Sequence, residues 1–424
     1  MSDLGPSPLA AGEANLSVAQ ARAAIDAALR PIDGEEDVPV DRALGRVLAE
    51  DVVSPIDVPA HDNSAMDGYA FAAGDLRPDA PTVLHAIGTV FAGTAFNGTV
   101  ASGECVRIMT GAVMPARLDS VVPLEQCRVE GEQVHVEPGV IRPGENRRRR
   151  GEDLALGKPA VRAGRVLKPA DLGLIASLGI EQVTVKRRLR VALFSTGDEL
   201  RTLGERLDAG CVYDSNRYSL LGALQRLGMD VIDLGVVRDD PAALEATLQS
   251  AIAKSDVILT SGGVSAGDAD YTREVLGRLG KVAFWKVAMR PGRPFAFGPL
   301  GTANADRATW LFALPGNPVA ALVTFYVFAR VALLRLAGAQ PEPLPVLQAR
   351  CTKAIRKRPG RTEFQRGLVA PAADGGWQVQ ITGSQGAGIL RSMSEANCLV
   401  VLNHEQGSVA AGDPVDVWLF DGLT

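Results

Sequence analysis

The sequence predicts a multidomain α/β protein whose central part is a doubly wound parallel α/β sheet, with β-rich units before and after it. Three observations support this prediction. The chain of 424 residues is too long for a single ordinary core. From Leu189 onward, short apolar strands alternate with helical segments, as in a parallel α/β sheet. The flanking regions contain short alternating strands separated by glycine and proline, which is typical of β-rich units.

The N-terminal segment begins with helical signals. Ser17 and Gln20 have the spacing of a capping box, ahead of an alanine-rich helix that should end near Leu29. A second helix is expected from Asp41 to Glu50. From residue 54 to about 151 the pattern predicts a small β-rich module, whose loops would carry any function it has.

The central region is predicted in more detail. Strands are expected at 189–194, 230–237, 256–260, 282–289, 294–298 and 309–314. Helices are expected near 215–227, 241–253 and 271–279, with a long closing helix at 317–336. After the proline-rich segment that follows this helix, the remaining strands predict a last all-β unit.

Composition excludes several classes of protein. Hydrophobic residues make up 46% of the chain and charged residues 22%, which is unlike a disordered protein. The N-terminus lacks the pattern of a signal peptide, and the most apolar helical segment contains two arginines, so we expect a cytoplasmic protein with no membrane partner. The net charge of -5 gives no reason to expect nucleic acid.

The scattered cysteines and histidines support no zinc site, so any metal would be a hard cation held by oxygen. Acids follow three successive strands, at the edge where a doubly wound sheet binds its ligand. Glu199 follows the first strand, Asp239 the second and Asp270 the third. Such carboxylates suit Mg²⁺, although capping or solvated acids are the alternative. Asp240, directly before Pro241, is expected to be a helix N-cap.

The same strand ends carry groups that suit an anion. Glycines allow backbone N–H groups to approach a ligand near a helix start, although a tight turn also requires glycine. The candidate substrate contacts of this kind are Ser195, Thr196, Gly262, Gly263, Ser265, Pro315, Gly316 and Asn317. The two commonest nucleotide-binding fingerprints are absent from the sequence.

Two basic segments allow two interpretations each. Lys286, Arg290 and Arg293 surround a Pro-Gly turn, which is compatible with an oxyanion site or with a solvent-facing basic turn. The run 147–150 consists of four arginines, and it is either a solvated loop or an anion contact.

Seven segments together resemble the MoeA family, which includes the C-terminal region of gephyrin and its plant counterpart. They occur in the family's order from about residue 15 to the end, so the resemblance is specific. The segments are DNSAMDGYA (62–70), RIMTGA (107–112), RRRGED (148–153), FSTGDEL (194–200), SGGVSAGDADY (261–271), PGRPFAFG (291–298) and LPGNP (314–318).

The resemblance implies four domains and a homodimer. The domains would be a discontinuous linker domain (15–55 and 152–188), an inserted β-rich domain (56–151), an α/β domain of the molybdopterin-binding type (189–340) and a C-terminal β-barrel (341–424). It also implies an active site between the α/β domain of one subunit and the inserted domain of the other. Molybdopterin adenylyltransferase would be the upstream partner.

The resemblance further implies that molybdate is inserted into adenylylated molybdopterin, with release of AMP and with Mg²⁺ as the ion. The positions that match functional residues of the family are Asp67, Thr110, Asp153, Glu199, Asp239, Asp270 and Lys286. Glu199, Asp239 and Asp270 would hold the metal. Because molybdate is a dianion, we also expect Lys286, Arg290 and Arg293 to hold it. Arg290 and Arg293 replace lysines found in many relatives, which keeps the charge but changes its geometry.

Three other functions remain open at this point. An adenylyltransferase would resemble the α/β region alone, and the long segment before Leu189 argues against it. A scaffold protein would keep the fold without catalysis, and the intact acids argue against that. A Mg²⁺-dependent phosphohydrolase would use the same acids, but it would not depend on molybdate.

Overall fold

The computed structural model describes residues 15–263, 269–301, 308–340 and 343–423, and the side chains of these residues except 269–271 and 422–423. In chain order, the first half contains β1 (Asn15–Leu16), α1 (Val18–Ala28), β2 (Glu35–Pro39), β3 (Val52–Val53), β4 (Asn63–Ser64), β5 (Gly68–Phe71), β6 (Thr82–Val90), β7 (Glu104–Ile108), β8 (Ser120–Pro123), β9 (Arg128–Glu130), β10 (Gln133–Val136), β11 (Arg147–Arg148), β12 (Pro159–Val161), α2 (Pro169–Ser177) and β13 (Gln182–Lys186).

The second half contains β14 (Arg190–Thr196), β15 (Leu200–Arg201), β16 (Val212–Tyr213), α3 (Ser215–Arg226), β17 (Asp230–Val237), α4 (Pro241–Lys254), β18 (Val257–Ser261), α5 (Ala269–Leu279), β19 (Ala283–Val287), β20 (Met289–Arg290), β21 (Pro294–Leu300), β22 (Thr309–Leu314), α6 (Pro318–Thr324), α7 (Arg330–Leu336), β23 (Leu347–Cys351), β24 (Thr362–Pro371), β25 (Trp377–Ile381), α8 (Arg391–Glu395), β26 (Cys398–Leu402), β27 (Pro414–Leu419) and α9 (Phe420–Leu423).

The N-terminal helix is confirmed and the second predicted helix is wrong. Ser17 and Gln20 form the capping box of α1, whose C-cap is Leu29. The predicted helix from Asp41 to Glu50 is instead a single 3-10 turn followed by isolated β-bridges. Gly45 has a positive φ of 72°, and the backbone beyond it bonds to segments 165–167 and 184–186. Tertiary pairing therefore replaces the helix that local propensity favours.

The β-rich module lies between two halves of a smaller domain. Its six described strands pair in the order β8-β5-β7-β6-β10-β9. Strands β2 and β3, which precede the module, pair with β13 and β12, which follow it. The segments on both sides of the module therefore share one core. Val38, Leu48 and Ile175 are buried in that core. The fold therefore has an inserted β-rich module and a discontinuous linker domain.

The central sheet has helices on both faces, as predicted. Among the described residues, seven strands pair in the order β1-β19-β21-β22-β18-β14-β17. The side chains of α3, α6 and α7 contribute to one core, and those of α4 and α5 to the core on the opposite face. Strands β17, β14, β18 and β22 are parallel, but β21 is antiparallel to both β19 and β22. The expectation of a purely parallel sheet is thus wrong at this side, where the chain forms a hairpin.

The closing helix is a core element. The segment Pro318–Leu336 passes a membrane test by length and hydropathy, but 78% of its tested window is buried within the protein. Its middle, Phe325–Ala329, is a π-helical turn between α6 and α7. Such a turn alters the backbone hydrogen-bonding pattern, and Arg22 Nε of α1 donates to the carbonyl of Val327 at 3.0 Å. Arg22 also lies 5.2 Å over the ring of Trp418 in the C-terminal unit.

The C-terminal unit is a closed five-stranded β-barrel. Its strands pair in the order β24-β25-β23-β27-β26, and a further pairing of β24 with β26 closes the ring. Strand β20 adds to β24, so the hairpin of the central sheet is attached to the barrel wall. This attachment brings the basic Pro-Gly turn against the barrel.

Candidate functional site

The first group of candidate residues lies at the topological switch point of the central sheet. In an open α/β sheet this is where ligands bind. Helix α3 connects β14 to β17 on one face, and α4 connects β17 to β18 on the other. Thr196 is the last residue of β14, and the glycine loop of Gly262 and Gly263 follows β18. Strand ends from both sides of the switch point therefore border one crevice.

The glycine loop requires glycine for steric reasons. Gly262 has a φ of +100°, and a Cβ there would lie 2.6 Å from the backbone oxygen of Thr196. Gly263 has a φ of +69°. Because L-residues rarely adopt this backbone conformation, the two glycines allow the close approach of β14 and β18.

Asn216 joins the glycine loop to the Pro315-Gly316 loop. Its amide nitrogen donates to Ser261 Oγ at 2.7 Å and to the carbonyl of Gly316 at 2.6 Å. Pro315 is buried, whereas Gly316 and Asn317 are exposed. Asn317 is the N-cap residue of α6, but its side chain makes no capping hydrogen bond. Sequence reasoning missed Asn216, although the DSN segment at a helix start is the kind of signal that could reveal it.

Ser195 is a structural residue in this conformation. It is 1% exposed, and its hydroxyl lies 3.0 Å from Oδ1 of the buried Asp214. Asp214 caps α3 and also accepts from Nε of Arg217. Ser195 thus holds the end of β14 through its hydrogen bond to Asp214 inside the core. Thr196, the next residue, faces the glycine loop.

Two of the predicted acids, Glu199 and Asp239, follow the ends of β14 and β17. Glu199 and Asp239 are both exposed, and the backbone N–H of Asp239 donates to Asp198 at 3.3 Å. Asp240 caps α4 through Ala243, as predicted. Asp270 is in α5 but its side chain is outside the described residues, as is all of Ser265. Within the described part of the chain, no group of three His, Cys, Asp or Glu residues is placed to hold a metal.

A second group is centred on Asp67 and Thr110 in the β-rich module. Asp67 Oδ1 accepts from both the backbone N–H and the hydroxyl of Thr110, each at 2.7 Å. These two bonds, with the charge of Arg107, hold the pKa of Asp67 below its usual value. Asp67 is therefore an exposed and ionised carboxylate. Its described hydrogen bonds stay within the β-rich module.

The arginine run is largely neutralised by neighbouring acids. Arg147 pairs with Asp62, Arg148 with Glu152 and Arg150 with Asp57. Asp153, the predicted site residue that follows this run, is exposed, and its backbone N–H donates to the carbonyl of Val58 at 3.1 Å. The geometry favours a structural interpretation for three of the four arginines.

A third group surrounds the basic turn and the barrel. Lys286, Arg290 and Arg293 are all exposed, and the N–H of Val287 donates to the carbonyl of Arg293 to close the turn. A cavity of about 270 Å³ lies between this turn and the barrel, with Arg290 in its wall. The barrel contributes Arg356, Arg366, Glu363 and Gln385 to the same wall.

Arg366 is a preorganised cation in this cavity. Its side chain is fully buried, and within the part of the chain that the structure describes it donates to neutral groups, namely Ser392 Oγ and the carbonyls of Ser384, Gln385 and Gly386. Burial, together with the charge of Arg290, lowers the pKa of Arg366 to about 10, so it is still charged near neutral pH.

The cavity as a whole is positively charged. Its acid, Glu363, is paired with Arg361 at 2.7 Å, which leaves Arg290, Arg356 and Arg366 in excess. Sequence reasoning found Arg290 but missed the barrel residues, because they follow it by more than 60 positions.

The third group also adjoins the first. The N–H of Val319, in the first turn of α6, donates to the carbonyl of Ala387 at 3.0 Å, in the barrel loop that bonds Arg366. Under the Pro-Gly turn, Gly292 packs against Thr324 at the end of α6. Helix α6 has seven residues, so the two groups are separated by roughly 10 Å of helix.

Family models match most of the chain. The model described as MoeA N-terminal region (domain I and II) matches residues 16–179. The one described as Probable molybdopterin binding domain matches residues 192–335, and MoeA C-terminal region (domain IV) matches residues 348–420.

Curated relatives and solved structures agree with these models. A molybdopterin molybdenumtransferase of Haemophilus influenzae is 41% identical over 385 residues, which are 91% of this chain and 93% of the relative. One from Nostoc is 36% identical over 91% of this chain and 89% of the relative. The crystal structure of a molybdopterin biosynthesis moeA protein from Pyrococcus horikoshii aligns with a TM-score of 0.80 and 28% identity, covering 96% of this chain and all of that one. The chain therefore belongs to the MoeA family.

Proposed function

We propose that this chain is a molybdopterin molybdenumtransferase that inserts molybdate into adenylylated molybdopterin and releases AMP. Two relatives that carry the transferase name align over about nine-tenths of the chain. The observation that carries the proposal is the positively charged cavity between the Pro-Gly turn and the barrel, beside the ligand crevice of the α/β domain. Molybdate is a small dianion, and guanidinium groups bind such oxyanions with charge-assisted hydrogen bonds.

Each group of residues has a distinct task in this proposal. The glycine loop and the Pro315-Gly316 loop, fixed by Asn216, present backbone N–H groups to the phosphates of the substrate. Arg290 and Arg366 hold the oxyanion, with Lys286 and Arg293 at the mouth of the turn. Asp67, ionised by its bonds from Thr110, accepts a hydrogen bond from the bound substrate.

Mg²⁺ fits the donor set at the strand ends. Glu199 and Asp239 offer exposed carboxylate oxygens there. Mg²⁺ is commonly held by one or two carboxylates together with substrate phosphates, so a complete protein cage is not required. Glu199 and Asp239, with Asp270, would hold the ion, which when bound would neutralise charge on the phosphates.

The proposal includes a homodimer in the cytoplasm. Asp67 and Thr110 are exposed, and the side-chain hydrogen bonds of Asp67 among the described residues stay within the β-rich module, which supports a site completed by a second copy. An adenylyltransferase would supply the adenylylated substrate, since that reaction forms the bond to AMP that this one breaks.

The proposal is tested by measuring AMP release from adenylylated molybdopterin with Mg²⁺, with and without molybdate, by the wild type and by Glu199→Ala. A matched control is Glu205→Ala. Glu205 is another exposed acid in the same region, and its carboxylate accepts a hydrogen bond from the backbone N–H of Thr202. We expect the wild type and Glu205→Ala to release AMP in a molybdate-dependent way, and Glu199→Ala not to release it. Release that ignores molybdate would indicate a hydrolase, and no release from a folded dimer would indicate a scaffold.

A further inference from the structure

The described surface of the β-rich module exposes two apolar side chains beside Asp67 and Thr110. Phe91 is 59% exposed and Met66 is 40% exposed. An exposed aromatic side chain is unremarkable when it stands alone. Here the two side chains belong to the turns on either side of Thr110, next to an ionised carboxylate.

The strand register places Phe91 beside Thr110. Strands β6 and β7 are parallel, with Val90 opposite Ile108, and the N–H of Met109 donates to the carbonyl of Val90 at 3.2 Å. Phe91 and Met109 are the next residues of their chains, so they leave the same edge about one strand spacing, ~5 Å, apart. Thr110 follows Met109 directly.

The loop that carries Phe91 is firmly held. The carbonyl of Phe91 accepts from both the hydroxyl and the N–H of Thr94, at 2.8 and 3.2 Å. Farther along, the ring of Phe96 packs on Gly88 and Gly98, where a Cβ would lie 3.1 and 2.7 Å from ring atoms. Phe96 thus packs against the loop, and the backbone of the exposed Phe91 is fixed by hydrogen bonds, which lowers the backbone entropy cost of stacking on it.

Met66 is held on the opposite side of Thr110. The hydroxyl of Ser64 donates to the carbonyl of Met66 at 2.6 Å, and Ser64 also exchanges backbone bonds with Gly111 and Ala112. The Met66 turn is therefore fixed to the Thr110 turn. Strand β7 lies between the two turns, so the thioether of Met66 and the ring of Phe91 flank Thr110 on two sides, and both are favourable contacts for a flat ring system.

We propose that Phe91 and Met66 form a stacking surface for the pterin ring of the substrate, with Asp67 accepting hydrogen bonds from the donor edge of that ring. This inference rests on the proposed function, because it assigns one part of that substrate to this surface. Thr110 occupies Oδ1 of Asp67, so Oδ2 is the oxygen that faces a ligand. A pterin presents an amino group beside a ring N–H, and these two parallel donors can share the single oxygen Oδ2, whereas adenine presents an amino group beside a ring nitrogen lone pair that the carboxylate would repel.

The test is a binding titration of the full-length protein with a free pterin, 6-hydroxymethylpterin. The change in pterin fluorescence reports the binding. Stacking of a base on an aromatic side chain contributes about 1–3 kcal/mol, so Phe91→Ala should weaken binding by roughly 5- to 150-fold. Phe91→Trp keeps an aromatic ring at this position, so its pterin affinity should be close to that of the wild type. Trp377→Ala removes an aromatic side chain of the barrel that is 42% exposed, and it should leave binding unchanged.

Competition and association measurements distinguish this inference from its rivals. AMP should displace the pterin poorly if the surface selects the pterin ring. Equal pterin affinity of the wild type and Phe91→Ala would overturn the inference. A Phe91→Ala protein that sediments as a monomer but keeps its pterin affinity would overturn it as well, because Phe91 would then serve the dimer contact. AMP release assayed in parallel reports on the proposed function separately, since pterin binding requires no turnover.

Discussion

Replacing Arg366 by methionine should abolish most of the oxyanion affinity. Arg366 is fully buried and makes four hydrogen bonds, all to neutral groups, at 3.0 to 3.4 Å. Arg366 lines the cavity, and no described carboxylate pairs with its guanidinium, so its positive charge is not neutralised there. Hydrogen bonds to charged groups contribute about 1.5–3 kcal/mol, which corresponds to roughly 10- to 150-fold weaker molybdate binding in the variant.

The assay is calorimetric titration with molybdate, with sulfate as a second tetrahedral dianion. Arg366→Lys keeps the charge and should lose less affinity than Arg366→Met. Arg391→Met is the matched control, because Arg391 is in the same C-terminal unit but is 86% exposed and pairs with Glu395. A folded Arg366→Met protein that binds molybdate as tightly as the wild type would refute the assignment of this cavity.

The same residue sets a pH dependence. The pKa of Arg366 is about 10, so the guanidinium is charged below that pH and the oxyanion affinity that it provides is fully present there. The affinity should fall as the pH rises through about 10, and Arg366→Met should lack that decrease. A wild-type affinity that stays constant to pH 11 would contradict this expectation.

Two further predictions concern the rest of the molecule. Thr110→Val removes the hydroxyl donor to Asp67, so the pKa of Asp67 should rise toward its ordinary value. The acid limb of the pH–activity profile should then move to higher pH. The measurement is an NMR titration of Asp67 with Thr110→Ser as the control, and an unchanged titration in Thr110→Val would count against the prediction. Asp256→Ala removes both guanidinium bonds from Arg187, at 2.8 and 2.9 Å, to a carboxylate that is fully buried. Unfolding in urea should show a loss of about 3–5 kcal/mol, and a smaller loss than about 1 kcal/mol would show that the pair is not important.

The sequence predicts the central sheet well because its elements are long and periodic. Strand β17 is found at 230–237 as expected, and α3 and α4 differ from prediction by one residue at their C-terminal ends. The failure at 41–50 has a local origin, since Gly45 turns the chain and tertiary pairing takes over its backbone bonds. The antiparallel direction of β21 was missed because strand direction depends on the partner and not on the strand's own residues.

The candidate site divides in a similar way. Residues at or just after the end of a strand, such as Thr196 and Gly262, could be located from the sheet rule alone. Arg366 could not, because the turn around Arg290, with which it lines one cavity, is remote in the sequence. Ser195 shows the converse case, since its position at a strand end was predicted but its hydroxyl points at Asp214 inside the core.

The most direct test of the account uses mixed dimers of two inactive variants, Asp67→Asn and Glu199→Ala, and measures molybdate-dependent AMP release. If Asp67 of one subunit acts with Glu199 of the other, each mixed dimer keeps one intact site. Random exchange of subunits should then restore about a quarter of wild-type activity, because about half of the dimers are mixed. Mixed dimers that form but remain inactive would contradict the shared site and would require Asp67 and Glu199 to act within one chain or not at all.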